Sequence, residues 1–144
     1  MHEATALEGQ CLCGTVQVRA RLAAPVLRAC HCAMCRRQNS GAFVSIANDP
    51  HQIEVEGEVA QFRSSDWAER GFCARCGSTL WYRTLHDGGR HLSAGLFEDA
   101  GGAALTLEFF ADACPQGYAF AGAHQRLTTK ETIALFAPEE GESQ

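Results

Sequence analysis

Eight cysteines in 144 residues fall into three tight groups and one isolated position, and no other feature restricts the possible folds as strongly. Cys11 and Cys13 lie in CLCG, Cys30, Cys32 and Cys35 in CHCAMC, Cys73 and Cys76 in CARCG, and Cys114 stands alone in ADACPQGY. CxC and CxxC separations bring thiols to one point, which is the spacing of metal ligands rather than of a disulfide framework. The opening stretch, MHEATALEGQ, has neither the basic region nor the apolar core of a secretory leader, and nowhere do 18 apolar residues run together. The sequence therefore reads as a cytoplasmic chain with no membrane span. In a reducing compartment thiols seldom pair as disulfides, which strengthens the metal reading.

The first and last groups are matched, since each ends in a glycine, Gly14 and Gly77. Glycine tolerates the positive φ needed where a chain curls beneath a metal and turns its N–H groups toward sulfur. Cys11, Cys13, Cys73 and Cys76 thus make a closed tetrahedral zinc site, with a set of buried, metal-free cysteines as the plainer alternative. Such a zinc would contribute on the order of 10 kcal/mol to folding. The middle group has an odd number of thiols and runs into Arg36 and Arg37 instead of glycine. Three thiolates leave one tetrahedral position for water or substrate, the mark of a zinc that does chemistry. Three thiolates around a divalent ion sum to −1, which weakens its Lewis acidity and suits holding a substrate thiol as thiolate better than making hydroxide. Arg36 and Arg37 could balance that charge and hold a substrate carboxylate, or could be solvated surface arginines.

Two residues near this group stay open. Cys114 is either a small buried hydrophobe or a fourth thiolate that would close the middle site and make both zincs structural. His31, between two candidate ligands, is read as orienting the site from outside its ligand shell or as incidental.

With 46% hydrophobic and 20% charged residues, the chain reads as one globular domain over residues 9–136. Residues 1–8 read as a loose end, and residues 137–144, APEEGESQ, as an acidic flexible tail. Twelve Lys and Arg against seventeen Asp and Glu give a net charge of −5, which argues against nucleic-acid or anionic-membrane binding through counterion release. Alternating apolar runs at Val16 to Leu22, Phe43 to Ile46, Ile53 and Val55, Leu80 to Tyr82, and Leu105 to Phe109 read as short strands. Turn residues separate them at NDP, EGE, HDGGR and DAGG. The expected fold is mainly β, of short antiparallel strands stapled by zinc. Thr128 and Glu131 form a capping box ahead of Ile133, Leu135 and Phe136, which predicts a short C-terminal helix.

GQCLCGTV, CHCAMCRRQNSGAF, FRSS followed by ERGFCARCGSTLW, and PQGYAFAG, in that order, resemble the glutathione-dependent formaldehyde-activating enzyme family, which includes the centromere protein V type domain. The resemblance runs from about Gly9 to Gly122. It implies a β-tent fold with two zinc sites, structural at Cys11, Cys13, Cys73 and Cys76 and catalytic at Cys30, Cys32 and Cys35. It also implies a carbon–sulfur lyase that forms S-hydroxymethylglutathione from glutathione and formaldehyde.

The expected chemistry is attack of a zinc-held thiolate on a small aldehyde, with the reverse step cleaving the C–S bond. Phe43 and Trp81 either wall the pocket or belong to the core. His31, Asp66 and Glu69 are all conceivable general acids. The rival readings are a zinc-stabilised protein-binding module without catalysis and a thiol or redox sensor.

Overall fold

The computed structural model describes residues 5–47 and 53–136, which form eleven strands, two helices and three short 3-10 turns. The chain divides into two compact units: Val44–Ala104 with the chain up to Leu27, and Arg28–Phe43 with the chain from Leu105 onward. The mainly β fold expected from the alternating runs is present, and the C-terminal helix with it.

In the first unit β1 (Thr5–Gln10), β2 (Gln17–Leu22) and β5 (Ile53–Glu56) make a three-stranded antiparallel sheet with β2 central. β2 shows why: Val18, Ala20 and Leu22 are buried and their alternate neighbours exposed, the period-two pattern of a strand with one face on a core. Thr5–Glu8 were expected in a loose end. They pair instead with residues 19–22, because Leu7 packs against that core and brings β1 with it.

The other strands of this unit run in the order β4 (Phe43–Ala47), β9 (Arg90–Ser93), β8 (Thr79–Thr84), β7 (Ala68–Cys73) and β6 (Val59–Arg63), antiparallel throughout. The core they share includes Val16, Val18, Ile46, Leu80, Trp81, Leu92 and Phe97. Trp81 is therefore a core residue, the plainer of its two readings. EGE and HDGGR lie at strand junctions as expected, with Glu56 ending β5 and Arg90 opening β9; DAGG forms a turn with Asp99, Ala100 and Gly101 at positive φ; NDP and the tail at 137–144 lie outside the described residues, as do residues 1–4 of the expected loose end.

In the second unit β3 (Val26–Cys30), whose last three residues belong here, lies beside β10 (Leu105–Phe109). β10 pairs in parallel with β11 (Gln125–Arg126), an exception to the antiparallel expectation. Helix α1 (Ala33–Asn39) follows β3 directly, and α2 (Thr129–Phe136) ends the described chain. The capping box closes as read: the Glu131 N–H donates to Thr128 Oγ1 at 3.1 Å and the Thr128 N–H to Glu131 Oε1 at 2.9 Å. Among the described residues no helix is long and apolar enough to cross a membrane.

Candidate functional site

Two hairpin loops of the first unit carry four thiols. Cys11 and Cys13 sit in the loop from β1 to β2, Cys73 ends β7, and Cys76 lies in the loop to β8. The loops close alike. Cys11 N–H donates to the Val16 carbonyl at 3.0 Å and Cys73 N–H to the Ser78 carbonyl at 2.9 Å. Gly14 N–H then returns to the Cys11 carbonyl at 3.1 Å, and Gly77 N–H to that of Cys73 at 2.9 Å, with φ of 82° and 80°. Only glycine takes that φ without a Cβ penalty, so the trailing glycines have the role read from the sequence.

Backbone donors converge on the sulfurs. Val16 N–H is 3.2 Å from Cys11 Sγ, and the N–H groups of Arg75 and Cys76 are each 3.3 Å from Cys73 Sγ. All four Sγ atoms lie within 4.8 Å of one another, with Cys11 and Cys13 at 3.7 Å and Cys13 and Cys73 at 3.9 Å. A tetrahedral zinc with Zn–S bonds near 2.3 Å requires S–S edges of about 3.8 Å, so these residues fit that ion. Hydrogen bonds favour the anion at two of the four ligands: the Ser78 hydroxyl brings the pKa of Cys76 down to about 5, and the Thr15 hydroxyl lowers that of Cys13, while Cys73, despite the Cys76 N–H, is raised by burial and by its neighbours Cys76 and Cys11.

The middle group gathers in the second unit, where Cys30, Cys32 and Cys35 also have all Sγ atoms within 4.8 Å. A helix arranges them. Cys30 ends β3, Cys32 is the N-cap of α1, and Cys35 lies buried in its first turn, its N–H 3.4 Å from Cys32 Sγ. Hydrogen bonding with Cys32 and Cys35, followed by burial, drives the Cys30 thiol strongly upward. Three crowded thiols cannot all ionise unaided, so the donor set suits a cation that neutralises them. No fourth His, Cys, Asp or Glu among the described residues joins the trio. The Cys114 thiol instead donates to the Tyr118 carbonyl at 3.5 Å. Arg36 is half-buried on α1 with an unpartnered Nε, and Arg37 is exposed.

Around His31 the structure adds residues that the sequence did not mark. His31 is fully buried, its backbone N–H donates to the Phe109 carbonyl at 3.1 Å, and its ring lies 5.5 Å from that of Phe120. Its Nε2 is 2.8 Å from Glu108 Oε1. The other Glu108 oxygen meets His124 Nε2 and, at 3.2 Å, Arg126 Nε. Of the conceivable acids, Asp66 is exposed and Glu69 is paired with Arg83, both in the first unit. The signal for Glu108 lay in His31: a histidine flanked by ligands needs a partner for its ring, and a lone acid inside the apolar run LTLEF is a natural candidate.

Fold and clusters together define a mainly β protein with two sets of grouped thiols able to hold metal ions. The chain belongs to the glutathione-dependent formaldehyde-activating enzyme family, whose model matches residues 6–113. It is accordingly an enzyme of the carbon–sulfur lyase type, with a glutathione-related, formaldehyde-activating function. It is similar to an uncharacterized lyase of Schizosaccharomyces pombe, 30% identical over 88% of this chain and 93% of that protein. A Halomonas elongata protein, named as a candidate glutathione-dependent formaldehyde-activating enzyme, is 32% identical over 52% of this chain and 54% of its own length. The crystal structure of a Rhodobacter sphaeroides protein shares the fold, with a TM-score of 0.54 and 21% identity over 69% of this chain and all of that one.

Proposed function

We propose that the chain joins a glutathione-like thiol to a small aldehyde such as formaldehyde, and cleaves the adduct in reverse, at a zinc centre held by Cys30, Cys32 and Cys35. Cys11, Cys13, Cys73 and Cys76 hold a second, structural zinc. The observation that carries this reading is the trio itself: three clustered thiols, without a fourth donor among the described residues and with Cys114 turned to a backbone carbonyl. When bound there, zinc supplies the positive charge that keeps a thiol deprotonated near neutral pH.

The chain's own groups do the rest. Cys32 caps α1 and so fixes the spacing of Cys32 and Cys35, while the Glu108 carboxylate holds the ring of His31, the residue between Cys30 and Cys32 in the chain. Arg36 and Arg37 receive a carboxylate of the thiol substrate, Arg36 with a guanidinium Nε not committed elsewhere. In the reaction the thiolate sulfur bonds to the carbonyl carbon, the C=O π pair moves to oxygen, and that oxygen takes up a proton. The cytoplasm suits such an enzyme, because a reducing compartment keeps grouped cysteines available as metal ligands instead of disulfides.

Cys32→Ser tests the assignment, since serine keeps an N-cap oxygen for α1 and removes one thiolate. The expected variant melts almost as wild type, contains one zinc instead of two, and forms S-hydroxymethylglutathione at least about 100-fold more slowly, the scale on which metal-site partners act. Undiminished turnover with one zinc missing would refute the assignment.

A further inference from the structure

The core face of β7, β8 and β9 ends in a row of charge. Glu69 stands opposite Arg83 and Arg83 opposite Arg90, so the three side chains line up across three strands on one face. The next rung on that face is Gly71, Trp81 and Leu92, of which Trp81 and Leu92 are buried. The charged row therefore lies at the margin of the hydrophobic core, where water screens it poorly. Gly71 is required here because a Cβ would lie 2.5 Å from Trp81 Nε1. The Arg90 guanidinium in turn sits 4.7 Å from the centroid of the Trp81 ring.

This row does not balance. Glu69 Oε1 takes Arg83 Nη1 at 3.4 Å, and no carboxylate among the described residues takes Arg90. The Nε atoms of both arginines are buried without a hydrogen-bond partner. Like charges directly opposed across a strand pair are destabilising, and a buried donor left unbonded adds to the cost. Burial and the facing Arg83 charge lower the proton affinity of Arg90, yet a guanidinium does not lose its proton in a protein, so neutralisation cannot relieve the repulsion. An anion bridging the two forks would offset both deficits.

We propose that Arg83 and Arg90, with the Trp81 ring as an apolar wall, form a binding site for an oxyanion, the carboxylate or phosphate of a small molecule. Guanidinium forks match either group through paired N–H donors, and the cation held against Trp81 keeps one fork in place before the ligand arrives. Glu69 offsets one of the two positive charges and leaves one for the ligand. The site is made of first-unit residues and its test reads binding, so it stands apart from the thiol chemistry of Cys30, Cys32 and Cys35.

The test follows the arginine Nε–H and tryptophan indole signals in 1H–15N spectra of the zinc-loaded chain, titrated with inorganic phosphate and, separately, with S-methylglutathione, which carries carboxylates but no free thiol. Saturable shifts of Arg83, Arg90 and Trp81 are expected with at least one probe, and the responding probe identifies phosphate or carboxylate as the ligand class. Arg90→Gln should weaken that binding at least about tenfold. Arg83→Gln should do the same, and it carries the comparison if Arg90→Gln does not fold. No saturable shift with either probe up to about 20 mM, or unchanged affinity in the folded variants, would overturn the proposal.

Discussion

Glu108 keeps a carboxylate at 3% exposure because His31, His124 and Arg126 all face it. Burial alone would raise its pKa, but hydrogen bonds from His124 and His31, with the charges of His31 and Arg126, outweigh burial and hold it below the ordinary carboxylate range. A carboxyl group whose pKa falls on folding stabilises the protein fully above its unfolded value, about 4.3 for glutamate. That stabilisation is lost as pH falls through the lowered folded value. Glu108→Gln removes the charge and leaves its donors facing a neutral amide, so it should cost roughly 3 kcal/mol at pH 7. In urea melts from pH 7 to pH 3, wild type should lose part of this stabilisation once the pH falls below about 4.3, and the variant should show a flatter profile over the same range. Parallel profiles would place the acid sensitivity in other residues.

Helix α2 shows how a local signal and its tertiary setting separate. The Thr128 and Glu131 reciprocal bonds are readable because both partners lie in one turn. Thr128→Ala should destabilise the chain by about 1 kcal/mol and speed hydrogen exchange at the Glu131 amide, which loses its acceptor. Unchanged exchange at that amide would mean the box is not formed in solution. The helix's buried residue, however, is Thr132, whose hydroxyl accepts from Phe110 N–H at 3.0 Å and donates to the Thr128 carbonyl at 2.8 Å, while Ile133, Leu135 and Phe136 are exposed. Apolar periodicity could not reveal that a threonine takes the inner position. β10 repeats the lesson, since Leu105, Leu107 and Phe109 read as the buried alternate and Glu108 is the buried residue. Helix α1 was equally hidden: it has seven residues, and its cap is a thiol, outside the usual Ser, Thr, Asp and Asn signals. In the first unit β2, β4, β5 and β8 were legible from their apolar runs, whereas β1, β6, β7 and β9 were not; the three thiol groups were legible because ligand spacing is written along the chain. Glu108, His124 and Arg126 converge only after folding.

At the scale of the whole chain the two thiol clusters should differ in what their metals do for stability, because they close very different loops. Cys13 and Cys73 touch across 60 residues of sequence, so a metal held by the four thiols ties together the hairpin loops of the first unit. Cys30, Cys32 and Cys35 lie within six residues, and α1 already fixes two of them. Loop-closure entropy grows as (3/2)RT ln n, which gives a length-dependent cost of about 4 kcal/mol for the long loop and about 1.5 kcal/mol for the short one. Chelation should therefore release zinc in two stages. The trio should yield first, with loss of turnover and little change in melting temperature. The four-thiol set should yield later, together with unfolding of the first unit. Cys13→Ser should lower the melting temperature well beyond Cys32→Ser even though each removes one thiolate. Zinc release read with a colorimetric chelator, alongside melting at each stage, checks the order: unfolding that accompanies the first zinc would mean the short cluster supports the fold, and its thiols would then have to be counted as structural.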